Sequence, residues 1–366
     1  MLATHDVVVI GGGAVGAACA RELALGGRRP LVLEPAAGGA AWQAAAGMLA
    51  PQIEADGRDP LFELGLAARE VYPQLAGALR ESTGIDIGLW QEGIARIASD
   101  EAQVADLKST VAWQRQQGYL CDWLDADETR AHWPWIGTAF GALWARREGA
   151  LEPARLVQAL LADTIRLGGT VVRDAAARIE HVDGRVTAVV GSERYATEAV
   201  VVAAGSWSGR IAGLPRPVSV EPVRGQMLAL PWPGGVPRSI LYNQDCYVVA
   251  RGNEAVAGST MEFAGYDASV TEAGVARILR HVAALYPALA GAQPIRTWAG
   301  LRPVTPDGLP IVGPAPDVTG LWYATGHGRN GILLAAITGQ IVRQLVAGEP
   351  THEAVALLAP ERFWRW

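Results

Sequence analysis

The chain has 366 residues, 50% hydrophobic, 19% charged and 7% aromatic, with a formal net charge of −6. That length suggests about two domains whose cores need no staples, and that composition excludes a disordered chain. An acidic balance without a basic run argues against a nucleic-acid surface, and three cysteines (Cys19, Cys121, Cys246) without CxxC spacing indicate neither a disulfide framework nor a zinc knuckle.

A reduced, cytoplasmic setting fits this cysteine usage. No uncharged apolar stretch reaches the roughly 18 residues of a membrane span, so neither anchor nor signal peptide is expected. Glycine supplies 43 residues, about 12% against a usual ~7%, without a triplet period. Close backbone approaches or tight turns are the expected use of that excess.

In chain order, Val7 to Ile10 reads as a buried strand, Ala14 to Leu25 as a helix and Leu31 to Leu33 as a second strand, making a βαβ unit at the start. An alanine- and glycine-rich segment from Trp42 to Pro51 leads to an amphipathic helix from Pro60 to Arg80, with Leu64, Val71, Leu75 and Leu79 facing inward. Residues 84–149 carry Trp90, Trp113, Trp123, Trp133, Trp135 and Trp144 and read as an insertion with its own packing. A helix from Glu152 to Gly168 precedes short strands at Thr170 to Val172, Ala177 to Val182, Arg185 to Val190 and Ala199 to Ala203. Proline-rich stretches bound a meander of four strands, Gln226 to Leu230, Ile240 to Asn243, Tyr247 to Arg251 and Ala255 to Thr260, followed by a helix from Thr271 to Tyr286. After Trp298 the pattern gives a loop, a strand from Leu321 to Thr325, a glycine turn and a last helix from Gly331 to Val346.

The strongest local signal is Gly11-x-Gly13-x-x-Gly16 between the first strand and helix, with Glu34 ending the next strand 18 residues beyond Gly16. Gly11 makes the tight turn, Gly13 lets backbone N–H groups approach a pyrophosphate, and Gly16 lets helix pack closely on strand. The helix N-terminus offers partial positive charge to the phosphate, and Glu34 can accept from a ribose. The motif alone does not separate FAD from NAD. A second glycine turn, Gly326-His327-Gly328-Arg329-Asn330-Gly331, again joins strand to helix. It suits a long flavin dinucleotide held from both chain ends, or serves only to turn the chain.

Several stretches together resemble the D-amino acid oxidase superfamily: 11–16 with Glu34, AAAGMLAP at 44–51, AAGSWS at 203–208, WAGLRP at 298–303, DGLP at 307–310 and GHGRNGIL at 326–333. Within it, AAAGMLAP, AGLRP and RNGILLA are most similar to the glycine oxidases of thiamine biosynthesis. The resemblance spans the chain and implies a Rossmann-like FAD-binding domain of the glutathione-reductase type, with an antiparallel-sheet substrate domain over the flavin. Residues 1–83, 150–215 and 300–366 would form the first domain, and 84–149 and 216–299 the second. FAD would be bound non-covalently. Ala14, Val15, Glu34 and Pro35 would lie along adenosine and pyrophosphate, Ala41, Trp42, Ala46, Gly47 and Met48 along the neighbouring loop, and Ala177 would offer backbone to the adenine. Gly205 would be a further close approach, and His327, Gly328, Arg329, Asn330, Gly331, Ile332 and Leu333 would run under the flavin. The chain departs from the family in having Ala40 to Gln43 where hydroxyl residues are common and Gly328 where an aromatic is common.

Arg302 matches the family's carboxylate-binding arginine, and a guanidinium there gives both charge and orientation. Tyr247 corresponds to a hydroxyl donor to the same carboxylate, Met261 to a pocket wall and Arg329 to a second cation at the mouth; His327 reads as a loop residue rather than an acid or base. The implied reaction takes a hydride from glycine to FAD, giving an imine that water converts to glyoxylate and ammonia, while molecular oxygen returns the flavin to its oxidised form and yields hydrogen peroxide. The expected partners are thus a small amino acid and oxygen, with a homotetramer as the assembly the family forms. Rival readings are a D-amino acid oxidase, a secondary-amine oxidase, a dehydrogenase or a silent flavin-binding subunit. Secondary-amine oxidases use a flavin-linked cysteine and a nearby lysine, whereas the one lysine here, Lys108, lies in the insertion and no cysteine follows Cys246.

Overall fold

The computed structural model describes residues 4–35, 38–55 and 60–364. The apolar strand Val7–Ile10 sits inside a six-stranded sheet ordered Ile311–Pro314, Leu321–Thr325, Val200–Val202, Val7–Ile10, Pro30–Leu33, Thr170–Val172. All neighbours are parallel except Ile311–Pro314 against Leu321–Thr325. Both faces are covered, which is why these strands are continuously apolar rather than alternating. Val7, Val9, Val32 and Val201 pack on helices, while Val8, Ile10, Leu33 and Val202 pack toward Ile179, Val186 and Val189. The latter residues belong to a four-stranded sheet built from Thr4–His5, Arg194–Thr197, Arg185–Val190 and Arg178–Val182.

Helix Ala14–Leu25 packs against the long C-terminal helix Gly331–Ala347, which the short helix Val355–Leu358 follows, and against Pro153–Arg166. Gly339 permits the first crossing, since a Cβ there would lie 2.7 Å from the Ala18 carbonyl oxygen. A buried ion pair joins the first helix to Pro153–Arg166, Arg21 Nε to Asp163 at 2.7 Å. The segment Gly328–Ala347 is long and apolar enough to cross a membrane by composition, yet Ile332, Leu334, Ile341 and Val342 are buried in this core.

An eight-stranded sheet runs Arg296–Val304, Glu221–Pro231, Glu254–Gly258, Tyr247–Arg251, Ile240–Tyr242, Ile94–Ala98, Gly141–Ala145, Asp122–Asp125. Its pairs are antiparallel except Ile240–Tyr242 with Ile94–Ala98. The tryptophan-rich segment therefore extends the same sheet as the meander instead of packing by itself. Helix Glu272–Leu285 covers one face through Ile278, Val282 and Leu285. On the other, Ile94, Met227, Val249 and Val256 cluster with Ala44, Ala46 and Ala50.

Two expectations change here. The stretch after Trp298 is a strand, Arg296–Val304, not a loop, and it crosses the domain boundary expected at 300. It lies at the sheet edge, where Pro303, which has no N–H to give, is tolerated. Arg194–Thr197 is also a strand that the alternation of polar residues did not reveal. Val71, expected to face inward, is half-buried and packs on the same core as Leu64, Leu75 and Leu79.

Candidate active site

A cavity of about 1150 Å³ lies between the six-stranded and eight-stranded sheets. Its cofactor end starts at the turn from Ile10 into helix Ala14–Leu25. Gly11 has φ +100°, and a Cβ there would sit 2.5 Å from the Ala203 carbonyl oxygen. A Cβ on Gly16 would fall onto the Gly11 carbonyl oxygen, so Gly16 serves helix packing and does not line the cavity. Gly13 is the N-cap, and the first N–H groups of the helix beyond it have no intrahelical acceptor. Glu34 Oε2 accepts from the Gly12 N–H at 2.6 Å, which fixes the carboxylate at the cavity wall.

Apart from Gly16 and Ala177, every residue expected around the cofactor lines this cavity. Ala177 is a correction: its N–H donates to Val190 and its carbonyl accepts from Ala212, so neither backbone group faces a ligand. The wall there is Ala175 and Ala176, just before the strand. His327 is buried, its Nε2 3.0 Å from Thr338 Oγ1, and burial pushes its imidazole down to about 3. It is neutral at working pH, in keeping with a loop-holding role.

At the far end, Arg302 projects from the edge strand. Its Nη1 donates to the Thr260 carbonyl at 3.0 Å and its Nη2 to the Ser259 hydroxyl. Tyr247 lines the same wall beside them, stacked on Tyr242 with centroids 6.5 Å apart and planes 9° apart. Burial raises the Tyr247 phenol, against the lowering effect of Arg302 and Ser259, so the hydroxyl stays protonated and able to donate. Met261 borders the cavity but is 64% exposed, a rim residue more than a wall. Arg329 also lines the cavity, where it is ion-paired with Glu54 and within 3.5 Å of Asn330 Oδ1. Its charge is thereby shared with a carboxylate, whereas Arg302 has no ion pair among the described residues.

Sequence reasoning missed the supports behind this wall. Glu148 is fully buried, accepts from the Gln52 and Ile53 N–H groups, and anchors the short helix Pro51–Glu54 that carries Glu54. Arg69 donates to Gln52 Oε1 at 2.7 Å, and Gln52 and Gln114 are hydrogen-bonded to each other. Burial raises the Glu148 carboxyl to about 8 against the pull of these donors. Arg251 donates from the meander to the carbonyls of Ala46 and Leu151, tying down the loop beside the cofactor. A lone arginine ending the apolar run YVVAR was the available signal for that contact.

Two glycine turns at helix N-termini, an acid on the next strand and an arginine-bearing sheet closing one elongated cavity define a dinucleotide-dependent oxidoreductase. The FAD dependent oxidoreductase (DAO) family model matches residues 6–345, and the chain belongs to that family. The glycine oxidase of Geobacillus kaustophilus (strain HTA426) is 35% identical over 355 residues, covering 95% of this chain and 94% of that protein. The crystal structure of glycine oxidase from Geobacillus kaustophilus superposes with TM-score 0.94 at 33% identity, covering 98% of this chain and 99% of that one. The bifunctional protein ThiO/ThiG of Synechocystis sp. (strain ATCC 27184 / PCC 6803 / Kazusa) is 33% identical over 378 residues, 99% of this chain and 55% of that protein. This chain is thus a flavoenzyme of the amino acid oxidase type, and FAD is its cofactor. The residues present fit that group. Besides the glycine cradle and Glu34, the Trp42 indole N–H borders the cavity, buried and without a hydrogen-bond partner among the described residues.

Proposed function

We propose that the protein oxidises glycine to glyoxylate and ammonia, with oxygen as the electron acceptor and hydrogen peroxide as the second product. The observation that carries this reading is Arg302, whose guanidinium is held on the cavity wall by Thr260 and Ser259 with the Tyr247 hydroxyl beside it. Gly11, Gly13, Ala14, Val15, Glu34, Trp42 and residues 327–333 would hold FAD without a covalent bond. Bound there, FAD supplies the two-electron acceptor for the α-carbon hydride.

Arg302 receives the substrate carboxylate through charge-assisted hydrogen bonds, and Tyr247 donates a further one. Together they fix the α-carbon relative to the cofactor end, the entropic part of catalysis. His327 remains neutral and hydrogen-bonded to Thr338, so the cofactor turn carries no ionised histidine. The net reaction consumes glycine, oxygen and water, and releases glyoxylate, ammonia and hydrogen peroxide, which balances atoms and electrons. A role in the thiazole branch of thiamine biosynthesis is supported by the ThiO/ThiG relative.

Substrates slightly larger than glycine belong to the same reading, because a Cβ at Gly328 would meet open space and Met261 stands at an exposed rim. Peroxide release by FAD-saturated protein with glycine, sarcosine and D-alanine tests the proposal. The expected result is turnover with glycine, with glyoxylate and peroxide formed in equal amounts. Yellow, FAD-loaded protein that turns over none of the three would overturn it.

A further inference from the structure

The edge strand Arg296–Val304 and its partner Glu221–Pro231 meet through a directly opposed pair of glycines, Gly225 and Gly300. Opposed residues of an antiparallel pair share one sheet face, as do residues two apart along a strand. Arg302 therefore stands on the same face as both glycines. A Cβ on Gly225 would lie 2.6 Å from Arg302 Cζ and equally within clashing range of both terminal nitrogens, so the guanidinium rests against the bare Gly225 backbone.

The neighbouring glycine seats something else. A Cβ on Gly300 would lie 2.7 Å from Ala44 Cβ and 3.0 Å from the Ala40 carbonyl oxygen. Residues 40–44 form the turn beside the cofactor end of the cavity, and this turn is stitched to the same strand by Leu301 N–H donating to Gly39 at 2.9 Å. Neither Gly225 nor Gly300 has a positive φ. Their backbone would accept alanine, and alanine suits a strand interior better than glycine. What an alanine lacks at these positions is room.

We infer that the Gly225–Gly300 pair is a positioning device: one bare site seats the Arg302 guanidinium, the other seats the 40–44 cofactor turn, and together they set the distance between carboxylate and cofactor. The inference rests on Arg302 as the carboxylate ligand, yet its two halves have separate readouts. Gly225→Ala displaces the far end of one flexible side chain, a local change, whereas Gly300→Ala presses on backbone and on Ala44.

The test measures FAD affinity of apoprotein and acetate affinity of the FAD-saturated protein, by calorimetry and by the flavin absorbance change. Gly225→Ala should weaken acetate binding and raise the glycine KM by roughly tenfold to a hundredfold, the worth of one charge-assisted hydrogen bond, with FAD affinity little changed. Gly300→Ala should weaken FAD affinity by about tenfold or more and leave acetate affinity of the saturated protein as it was. Ala44→Gly in the Gly300→Ala background should restore part of the FAD affinity, because it removes the nearer of the two atoms the new methyl meets and leaves the Ala40 carbonyl oxygen. In an Arg302→Ala background, Gly225→Ala should have no further effect on acetate binding. If Gly225→Ala alone misfolds, the double variant with Arg302→Ala must recover the fold. Wild-type acetate affinity in Gly225→Ala, equal losses of both ligands in both variants, or absence of rescue by Ala44→Gly would each overturn the assignment. Acetate binding does not depend on turnover, so these outcomes remain readable even if glycine is not the substrate.

Discussion

Replacing Arg302 with lysine separates the geometry of the carboxylate site from its charge. The arginine spends one N–H on the Thr260 carbonyl and one on the Ser259 hydroxyl, which leaves a planar fork held at two points with donors still available on the cavity side. Lysine keeps the positive charge on a flexible stem but presents a single nitrogen. It can satisfy Thr260 or Ser259 and one carboxylate oxygen, and it loses the second parallel bond. A hydrogen bond to a charged group is worth about 1.5–3 kcal/mol, and each ~1.4 kcal/mol is a factor of ten in affinity. Arg302→Lys should therefore raise the glycine KM by roughly ten- to a hundredfold, with FAD retention unchanged because no proposed cofactor contact is altered. Initial rates across glycine concentrations, paired with acetate titration of the bound flavin, give the number. A KM within about threefold of wild type together with unaltered acetate affinity would refute bidentate capture by Arg302.

Tyr247→Phe should keep the stacked wall with Tyr242 and lose one hydrogen bond to the ionised carboxylate, worth about 1.5–3 kcal/mol; steady-state kinetics should show a KM increase of roughly ten- to a hundredfold, and an unchanged KM would remove Tyr247 from the site. Gly16→Ala places a methyl on the Gly11 carbonyl oxygen, so the purified variant should emerge from gel filtration without flavin colour; retention of a full complement of FAD would contradict the tight-turn argument. Glu148 predicts a pH dependence of stability. Burial raises its folded pKa from 4.5 to about 8, so the folded state holds the proton more tightly; the contribution is complete below the unfolded pKa and is lost as pH rises through the folded one. At ~1.36 kcal/mol per pKa unit, denaturant unfolding should show wild type losing on the order of 4 kcal/mol more than Glu148→Gln between about pH 5 and about pH 8.5. Parallel pH profiles for the two proteins would remove this role.

The nucleotide half was legible because its signals are local. A four-residue apolar strand, a glycine turn and a helix from Ala14 to Leu25 lie within one short window, and the structure gives that helix the same ends. The second glycine turn before helix Gly331–Ala347 was readable for the same reason. The substrate half depends on pairings between distant segments. Gly300 and Pro303 read as strand breakers, and only their place at a sheet edge, opposite Gly225 and Pro222, makes a strand of them. The parallel pairing of Ile94–Ala98 with Ile240–Tyr242 joins segments some 140 residues apart, beyond any local pattern. Arg302 was found through resemblance, since an arginine between leucine and proline carries no chemical signal of its own. Glu148, Gln52 and Gln114 were missed because a buried polar network is defined by mutual contact. The shift from Ala177 to Ala175 and Ala176 has a simple cause: once residue 177 joins the hydrogen bonding at the strand start, its backbone is spent.

An amino acid held by its carboxylate on Arg302 passes the hydride of its α-carbon to FAD in the shared cavity. Anaerobic mixing of FAD-loaded protein with glycine, followed in the flavin's visible absorbance, tests it without reliance on oxygen chemistry. Wild type should bleach completely, regain colour on admitting air with release of hydrogen peroxide, and show a glycine concentration dependence that Arg302→Lys shifts far upward. Flavin that stays oxidised in glycine, or bleaches equally readily in both proteins, would contradict it.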